Sequence, residues 1–493
     1  MQTLPAIDIV VLTVYLVAVV GLGVWFARTN RTTNDFMAAG GTLPGWAVGL
    51  SIFGTYLSSN TFIGVPGKAY AGNWNGFVFS LSLPLAAWVA VKWFVPFYRK
   101  SGEISAYHHL EKRFGPWART YALACYLLTQ LARVGTILFG VSLGLSALTG
   151  WSLPGVIIVS GLAVTAYTLL GGIVAVIWTD VIQSIVLLIG AVIIAVLLLV
   201  NHPEGAEEAM QVAAAADKFS LGSFSIDFTQ STFWVVLIYG IFINLNNFGI
   251  DQSFVQRYHT ARDDQAAARS VWIGALLYVP VAALFFFIGT MLFSYYEASP
   301  ALLAELKAAH PDGYADQVLP HFIATQLPTG VAGLLIAAIF AAAMSSIDTS
   351  LNSSATVTLK DFIQRFFRRG ENDKDALRIL RVSTLVWGIL GTGVALAMMG
   401  QKSLLDAWWK LSGVFAGGML GLFLLGLIAR TANNAGAVTG GILGVLIIFW
   451  MTLADYFPEE FRSPFHANMI IVVGTLTIFL TGIGISRWRS SGD

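Results

Sequence analysis

Residues 49–67 read GLSIFGTYLSSNTFIGVPG. Apolar residues lead in and out, but the middle carries Thr55, Tyr56, Ser58, Ser59, Asn60 and Thr61, with glycine and proline on either side. A continuous helix in an apolar medium has no use for such a run. A helix that unwinds there frees backbone carbonyls, which bind a cation where they line a cavity. The hydroxyls and the amide bind a polar solute. A second interruption, NLNNFGIDQ, occupies residues 244–252.

Composition names the medium. Of 493 residues, 56% are apolar and 11% charged, where a soluble domain carries about 25% charged. So few charges cannot cover a soluble surface of this size. Net charge is +1, so no basic surface points to nucleic acid. The single cysteine, Cys125, rules out a disulfide framework or a cysteine-built metal centre. The chain reads as an all-α integral membrane protein and one membrane domain.

A helix needs about 20 apolar residues to cross a bilayer. Thirteen segments qualify: 5–27, 46–67, 76–98, 120–148, 152–170, 173–200, 232–256, 268–294, 328–358, 379–400, 405–428, 434–453 and 467–487. The first is too long, and wrongly flanked, for a cleaved signal peptide. With the N-terminus outside, twenty Lys and Arg fall on inner loops or ends, among them Arg28, Arg31, Arg99, Arg119, Arg257, Lys360, Arg365 and Arg489. Only Lys68, Lys218, Lys307, Lys402 and Arg462 fall outside. That asymmetry orients the chain, and the odd span count supports it. The C-terminus is then cytoplasmic, as in a bacterial inner-membrane protein. The outer loops near 201–231 and 295–327 are acidic, with Glu204, Glu207, Glu208, Glu305, Asp312 and Asp316, and read as solvated faces.

Ionisable residues inside a span are expensive and point to function. The acidic ones are Asp180, Asp251, Asp348 and Asp406; the basic ones are Arg133 and Lys410. No histidine sits near a span centre, which argues against a histidine proton relay. Ser345, Asp348 and Thr349 stand at i, i+3 and i+4 on one helix face. Oxygen-only ligands suit a hard cation, although small hydroxyl residues also let helices pack closely. Asp180 reaches that cluster if the sixth and ninth spans meet. Arg133 needs an anionic partner, either a protein aspartate or a substrate carboxylate. Lys410, with Trp408 and Trp409 beside it, reads as snorkelling or a cation–π contact, and Cys125 as an inert small residue.

The two interrupted helices open successive blocks of five spans, 46–200 and 232–428. One span, 5–27, precedes them and 434–487 follows. Paired interruptions at corresponding positions are the mark of an inverted-repeat transporter.

Several segments resemble the sodium:solute symporter family. They run from Asp35-Phe36 to Gly45-Trp46, then Tyr167 to Gly172 with Trp178-Thr179-Asp180 and Gln183, then Gln256-Arg257, and Ala341 to Ser346 with Asn352-Ser353. The resemblance implies a leucine-transporter-like five-plus-five inverted repeat. It implies a sodium site of the backbone carbonyls of Gly54, Leu57 and Ala342 with the hydroxyls of Ser345 and Ser346. It also implies a second site at Asp180, Ser345, Asp348 and Thr349. Asp348 stands there where the family has serine or another small residue.

For the solute, the resemblance makes Arg133 the carboxylate anchor of sialic acid symporters, with Ser58 and Thr61 at substrate positions. Tyr56 replaces a threonine of that subfamily and Ser80 a glutamine. Galactose-type members match less well: Thr61, Ser80, Asp251 and Leu276 stand at their glutamine, glutamate, asparagine and lysine positions. The expected function is sodium-coupled import of a small polar solute, a sugar or sugar acid, by alternating access. The alternative is a monocarboxylate or amino acid. The expected partners are sodium, the solute and membrane lipid, with a working monomer. A passive channel or a membrane enzyme competes, but no metal-spaced histidines, nucleophile–base pair or phosphate-cradling loop supports an enzyme. Proton coupling through Asp348 and Asp180 is a variant of the leading reading.

Overall fold

A computed structural model describes residues 5–27, 32–58, 60–311, 313–370, 372–400 and 404–490. Arg28, Arg31, Ser59, Asp312 and Lys402 lie outside these, as do the side chains of Asn60, Asp406, Lys410 and Arg489. The described chain is built of helices. Ten helical stretches are long and apolar enough to cross a membrane, and Leu153–Leu169 and Ser412–Ile428 are shorter apolar helices.

In chain order, α1 is Ala6–Ala27, α2 Thr33–Ala38, α3 Gly45–Tyr56 and α4 Val65–Ala71. Next come α5, Trp74–Ser101, α6, His108–Phe114, α7, Pro116–Thr149, and α8, Leu153–Val200. The short α9, Ala206–Ala215, precedes α10, Phe233–Ile250, α11, Gln252–Thr260, and α12, Asp264–Glu297. Then follow α13, Pro300–Ala309, α14, Val318–Gln326, and α15, Val331–Phe367. The chain closes with α16, Asp373–Ala397, α17, Leu404–Ile428, α18, Asn434–Thr452, and α19, Met469–Ser490.

Both sequence interruptions are breaks in helices. α3 stops at Tyr56 because Leu57 turns extended, at φ −85° and ψ 127°. A π-helical turn, Asn60–Gly64, then leads into α4. α10 stops at Asp251, at φ −74° and ψ 118°. Asp251 then caps α11, its carboxylate accepting from the Ser253 amide at 2.8 Å. Each break releases carbonyls that an intact helix would use.

The fifth and sixth predicted spans follow one another in α8 without a loop, two helical halves joined at a sharp kink at Gly172, where φ is 57° and ψ −174°. Only glycine adopts that backbone without strain.

α15 is the buried centre, packed against α1, α7 and α8. Its residues from Leu335 to Val357 are buried without a break. Asp8 of α1 caps it: one carboxylate oxygen accepts from the Gly330 and Gly333 amides, both at 2.7 Å. A carboxylate at a helix N-terminus satisfies orphan donors and the macrodipole together. On α16 the exposed Val382, Leu385, Val386, Ile389 and Leu390 recur at helical spacing. Such an apolar stripe faces lipid.

Two sequence expectations are corrected. Arg257, counted as an inner-loop cation, is among the largest fully buried side chains. The long acidic loops are more than solvated faces: they contain α9, α13 and α14, and Asp316 is buried. One of these loops docks on α4 through Lys218, whose Nζ donates to the carbonyls of Tyr70 at 2.6 Å and Gly72 at 2.9 Å.

Candidate functional site

The break between α3 and α4 lies against α15. Ser345 Oγ donates to the Gly54 carbonyl at 3.1 Å and the Ala342 carbonyl at 3.3 Å. Ser346 Oγ donates to the Leu57 carbonyl at 2.9 Å. The five oxygens expected to hold the first ion thus lie in two contacting groups, Ser345 with Gly54 and Ala342, and Ser346 with Leu57. They are three carbonyls and two hydroxyls, the neutral hard set that suits an alkali cation. Space at Gly54 is tight, since a Cβ there would stand 3.0 Å from Ser184 Oγ.

The second predicted set is arranged differently. Asp180 Oδ2 accepts from Ser51 Oγ at 2.5 Å and from Arg257 at 3.0 Å. The same guanidinium donates to Thr349 Oγ1 at 2.7 Å and to Ser51 Oγ at 2.8 Å. A protein cation thus bridges Asp180 and Thr349. Asp348 accepts instead from the Tyr167 hydroxyl at 2.9 Å and the Thr349 amide at 2.6 Å.

Beside the first break lies a cavity lined by all six residues expected to meet the solute: Tyr56, Ser58, Thr61, Ser80, Arg133 and Asp251. Arg133 is 9% exposed and donates to the Thr55 carbonyl. It makes no ion pair with Asp251, although both line the cavity. Asp251 is occupied by its capping bond and by a long contact with Gln130, at 3.5 Å.

Sequence reasoning missed part of the lining. Tyr56 packs against Phe248, Phe254 and Tyr278, with ring centroids 5.9, 4.9 and 5.4 Å away. Phe254 and Tyr278 also line the cavity, with Asn246, Asn247 and Trp409. Asn246 and Asn247 lie within the second interrupted stretch, so a signal for them existed. Tyr278 carries none, because an aromatic inside an apolar helix reads as packing.

The sodium:solute symporter family model matches residues 36–444. The chain belongs to the sodium:solute symporter family. It is 35% identical to the sodium/sialic acid symporter NanT of Aliivibrio fischeri, over 97% of this chain and 94% of that one. It is also 35% identical to the sodium/sialic acid symporter SiaT of Proteus mirabilis, over 96% and 94%. Sodium-coupled monocarboxylate transporter 2 of Mus musculus is 28% identical, over 94% of this chain and 75% of that one.

Among solved structures, a Na+-coupled sialic acid symporter in a substrate-bound outward-open state superposes with a TM-score of 0.89 at 32% identity, covering 98% of both chains. The nucleobase-cation-symport transporter Mhp1 superposes at 0.53 with 16% identity, covering 93% of this chain and 95% of that one, and shares the fold. The symporter described here is therefore a multi-pass membrane transporter of the leucine-transporter-like fold, coupled to sodium, and not an enzyme.

Proposed function

We propose that this symporter imports a carboxylate-bearing solute, a sugar acid of the sialic acid type, together with sodium. One observation carries the reading. Arg133 donates to the Thr55 carbonyl, and Thr55 lies between Gly54 and Leu57, whose carbonyls meet Ser345 and Ser346. Two of the ion ligands and the carbonyl that receives the anion anchor thus share one break in one helix. Sodium that fixes this break lowers the cost of presenting Arg133 to the solute carboxylate. The solute in turn tightens sodium by the same factor. An inside-negative potential of 100 mV adds about 2.3 kcal/mol per charge moved.

Gly54, Leu57, Ala342, Ser345 and Ser346 hold the ion in this account. Arg133 holds the carboxylate, while Ser58, Thr61, Ser80, Tyr56 and Asp251 meet the rest of the solute. Arg257 already serves Asp180 and Thr349, so a second ion at Asp180, Ser345, Asp348 and Thr349 competes with a resident guanidinium. The working unit is a monomer of thirteen crossings. Two five-helix repeats span 46–200 and 232–428, flanked by 5–27 and 434–487. The N-terminus lies outside and the C-terminus in the cytoplasm, in a bacterial inner membrane.

A second reading is favoured by Tyr56. Its ring, walled by Phe248, Phe254 and Tyr278, narrows the cavity beside Arg133 and suits a smaller monocarboxylate. Proteoliposomes under an inward sodium gradient distinguish the two. Radiolabelled sialic acid, a short monocarboxylate and glucose are offered separately to the wild type and to Arg133→Ala. The sugar-acid reading expects accumulation of sialic acid, and a loss of at least about thirtyfold in the variant, as for a truncated buried charge contact. Accumulation of the short acid alone selects the second reading. Accumulation of glucose undiminished in Arg133→Ala makes the arginine structural and overturns both.

A further inference from the structure

The far end of α15 is a π-helix, Thr358–Phe367. In π geometry, with i→i+5 bonds, positions i, i+4 and i+5 stand over one another, whereas in an α-helix i+5 falls off the stripe. The wide turn therefore gathers Phe362, Phe366 and Phe367 on one side. Ring centroids lie 5.6 and 5.7 Å from Phe362, and the three side chains are 44%, 52% and 57% exposed. Two ion pairs pin the turn. Asp361 lies 2.6 Å from Arg119, and Arg365 lies 2.9 Å from Glu111 with its guanidinium 4.8 Å from the Phe366 ring centroid. The phenylalanines are thus held outward by buried and half-buried ion pairs.

Length places this end at the membrane surface. The α-helical part of α15, Val331–Val357, has 27 residues, about 40 Å at 1.5 Å per residue, against a hydrocarbon core of about 30 Å. Its neighbour α16 gives the same level. Trp387 Nε1 donates to Thr358 Oγ1 at 3.0 Å, so the two helices run side by side here. The lipid-facing stripe of α16, from Leu390 back to Val382, continues along the same face into exposed Arg381, Arg378 and Lys374. Arg368 and Arg369, exposed at the left-handed turn that ends α15, stand next to the phenylalanines.

Among the described residues none of these five cations forms an ion pair. The nearby Asp373 carboxylate accepts from the Thr33 amide at 2.8 Å, and that of Asp375 from the Asn372 side-chain amide at 2.9 Å. Apolar rings at the edge of the hydrocarbon, beside unpaired cations at headgroup level, match the chemistry of one ligand.

We propose that the end of α15 and the start of α16 form a binding site for an anionic phospholipid. The phosphate is held by Arg368 and Arg369 with Arg378 and Arg381, and the upper acyl chain lies on Phe362, Phe366 and Phe367. Assignment of the site to the inner leaflet rests on the proposed orientation; binding itself does not. The same helix carries Ser345 and Ser346, so a lipid clamped at its end steadies the element that carries the ion-binding hydroxyls.

The test is native mass spectrometry of the purified full-length protein, titrated with phosphatidylglycerol or phosphatidylcholine of matched chains. The wild type is expected to bind phosphatidylglycerol the more tightly. The double variants Arg368→Gln/Arg369→Gln and Arg378→Gln/Arg381→Gln should each weaken it by about tenfold and leave phosphatidylcholine unchanged. These side chains are exposed and unpaired, so the variants should keep the wild-type melting temperature. Arg462→Gln serves as the control cation elsewhere. Equal affinity for the two lipids overturns the proposal, as does a phosphatidylglycerol preference that survives both double variants. Displacement of the lipid by millimolar glycerol phosphate also overturns it, since the site would then read a soluble phosphate. Lipid binding is read without transport, so a failure of the proposed function leaves this result standing.

Discussion

Arg257 and Asp180 form an ion pair of 3.0 Å in the buried core, the guanidinium 1% and the carboxylate 0% exposed. It joins the helix after the second break, α11, to the bent helix α8, and Ser51 and Thr349 complete it. Four helices thus meet at one guanidinium beside the ion-binding hydroxyls. Removing one partner of such a pair strands a buried charge and costs about 3–5 kcal/mol. Arg257→Met and Asp180→Asn should each lower the melting temperature strongly in detergent. The double variant should be less destabilised than the sum of the two, because each change then removes a charge the other left stranded. Strictly additive losses would show that the pair is not coupled.

Ser346 touches the Leu57 carbonyl and Ser345 the Gly54 carbonyl. Ser345→Ala and Ser346→Ala should each weaken sodium activation of uptake by roughly ten- to hundredfold, equivalent to about 1–3 kcal/mol. The melting temperature without sodium should change little. Sodium activation curves from initial uptake rates, measured beside thermal melts, separate an ion ligand from a fold defect. An unchanged curve in both variants removes these residues from the ion site.

His109 lies on α6, in the segment between two membrane helices, with the rings of Phe97 and Phe423 each 5.2 Å away. Burial pushes its imidazole down to about 4 from the usual 6.5. The folded value lies below the unfolded one, so the unfolded chain binds the extra proton first. Stability is therefore full above pH 6.5 and declines as the pH falls towards 4, by about 3 kcal/mol over that window. His109→Gln, which cannot titrate, should flatten this acid limb when melting temperature is followed from pH 4 to 8. An identical limb in the variant would assign it to other groups.

Gly172 bends α8 at φ 57° and ψ −174°. Gly172→Ala should destabilise the protein by about 1–3 kcal/mol, the range for a side chain forced into that region. Urea or thermal unfolding in detergent reads this directly. A neutral result would mean that α8 straightens without cost.

Much of this was legible from the chain. The polar run between Gly54 and Gly67 marked a break, because polar backbone and side chains persist in an apolar medium only where they line something. Ser345 and Ser346 followed from the family resemblance, and Arg133 from its cost in a membrane. Arg257 was misread because it lies beyond the apolar stretch of its helix. A charge near a helix end looks the same in sequence whether it faces water or folds back on a buried aspartate. The aromatic wall around Tyr56 was equally silent, since Phe248, Phe254 and Tyr278 in apolar helices read as packing residues. The π-helical end of α15 was also missed, because its three phenylalanines do not share a face at α-helical spacing.

The central claim is that sodium at the first break and the solute carboxylate at Arg133 stabilise one another. The direct test is isothermal titration of sialic acid into the purified symporter at rising sodium concentration, with potassium holding ionic strength constant. The account predicts that solute affinity rises steeply with sodium and that Ser346→Ala abolishes the rise while solute still binds weakly. Solute affinity independent of sodium in the wild type would contradict it.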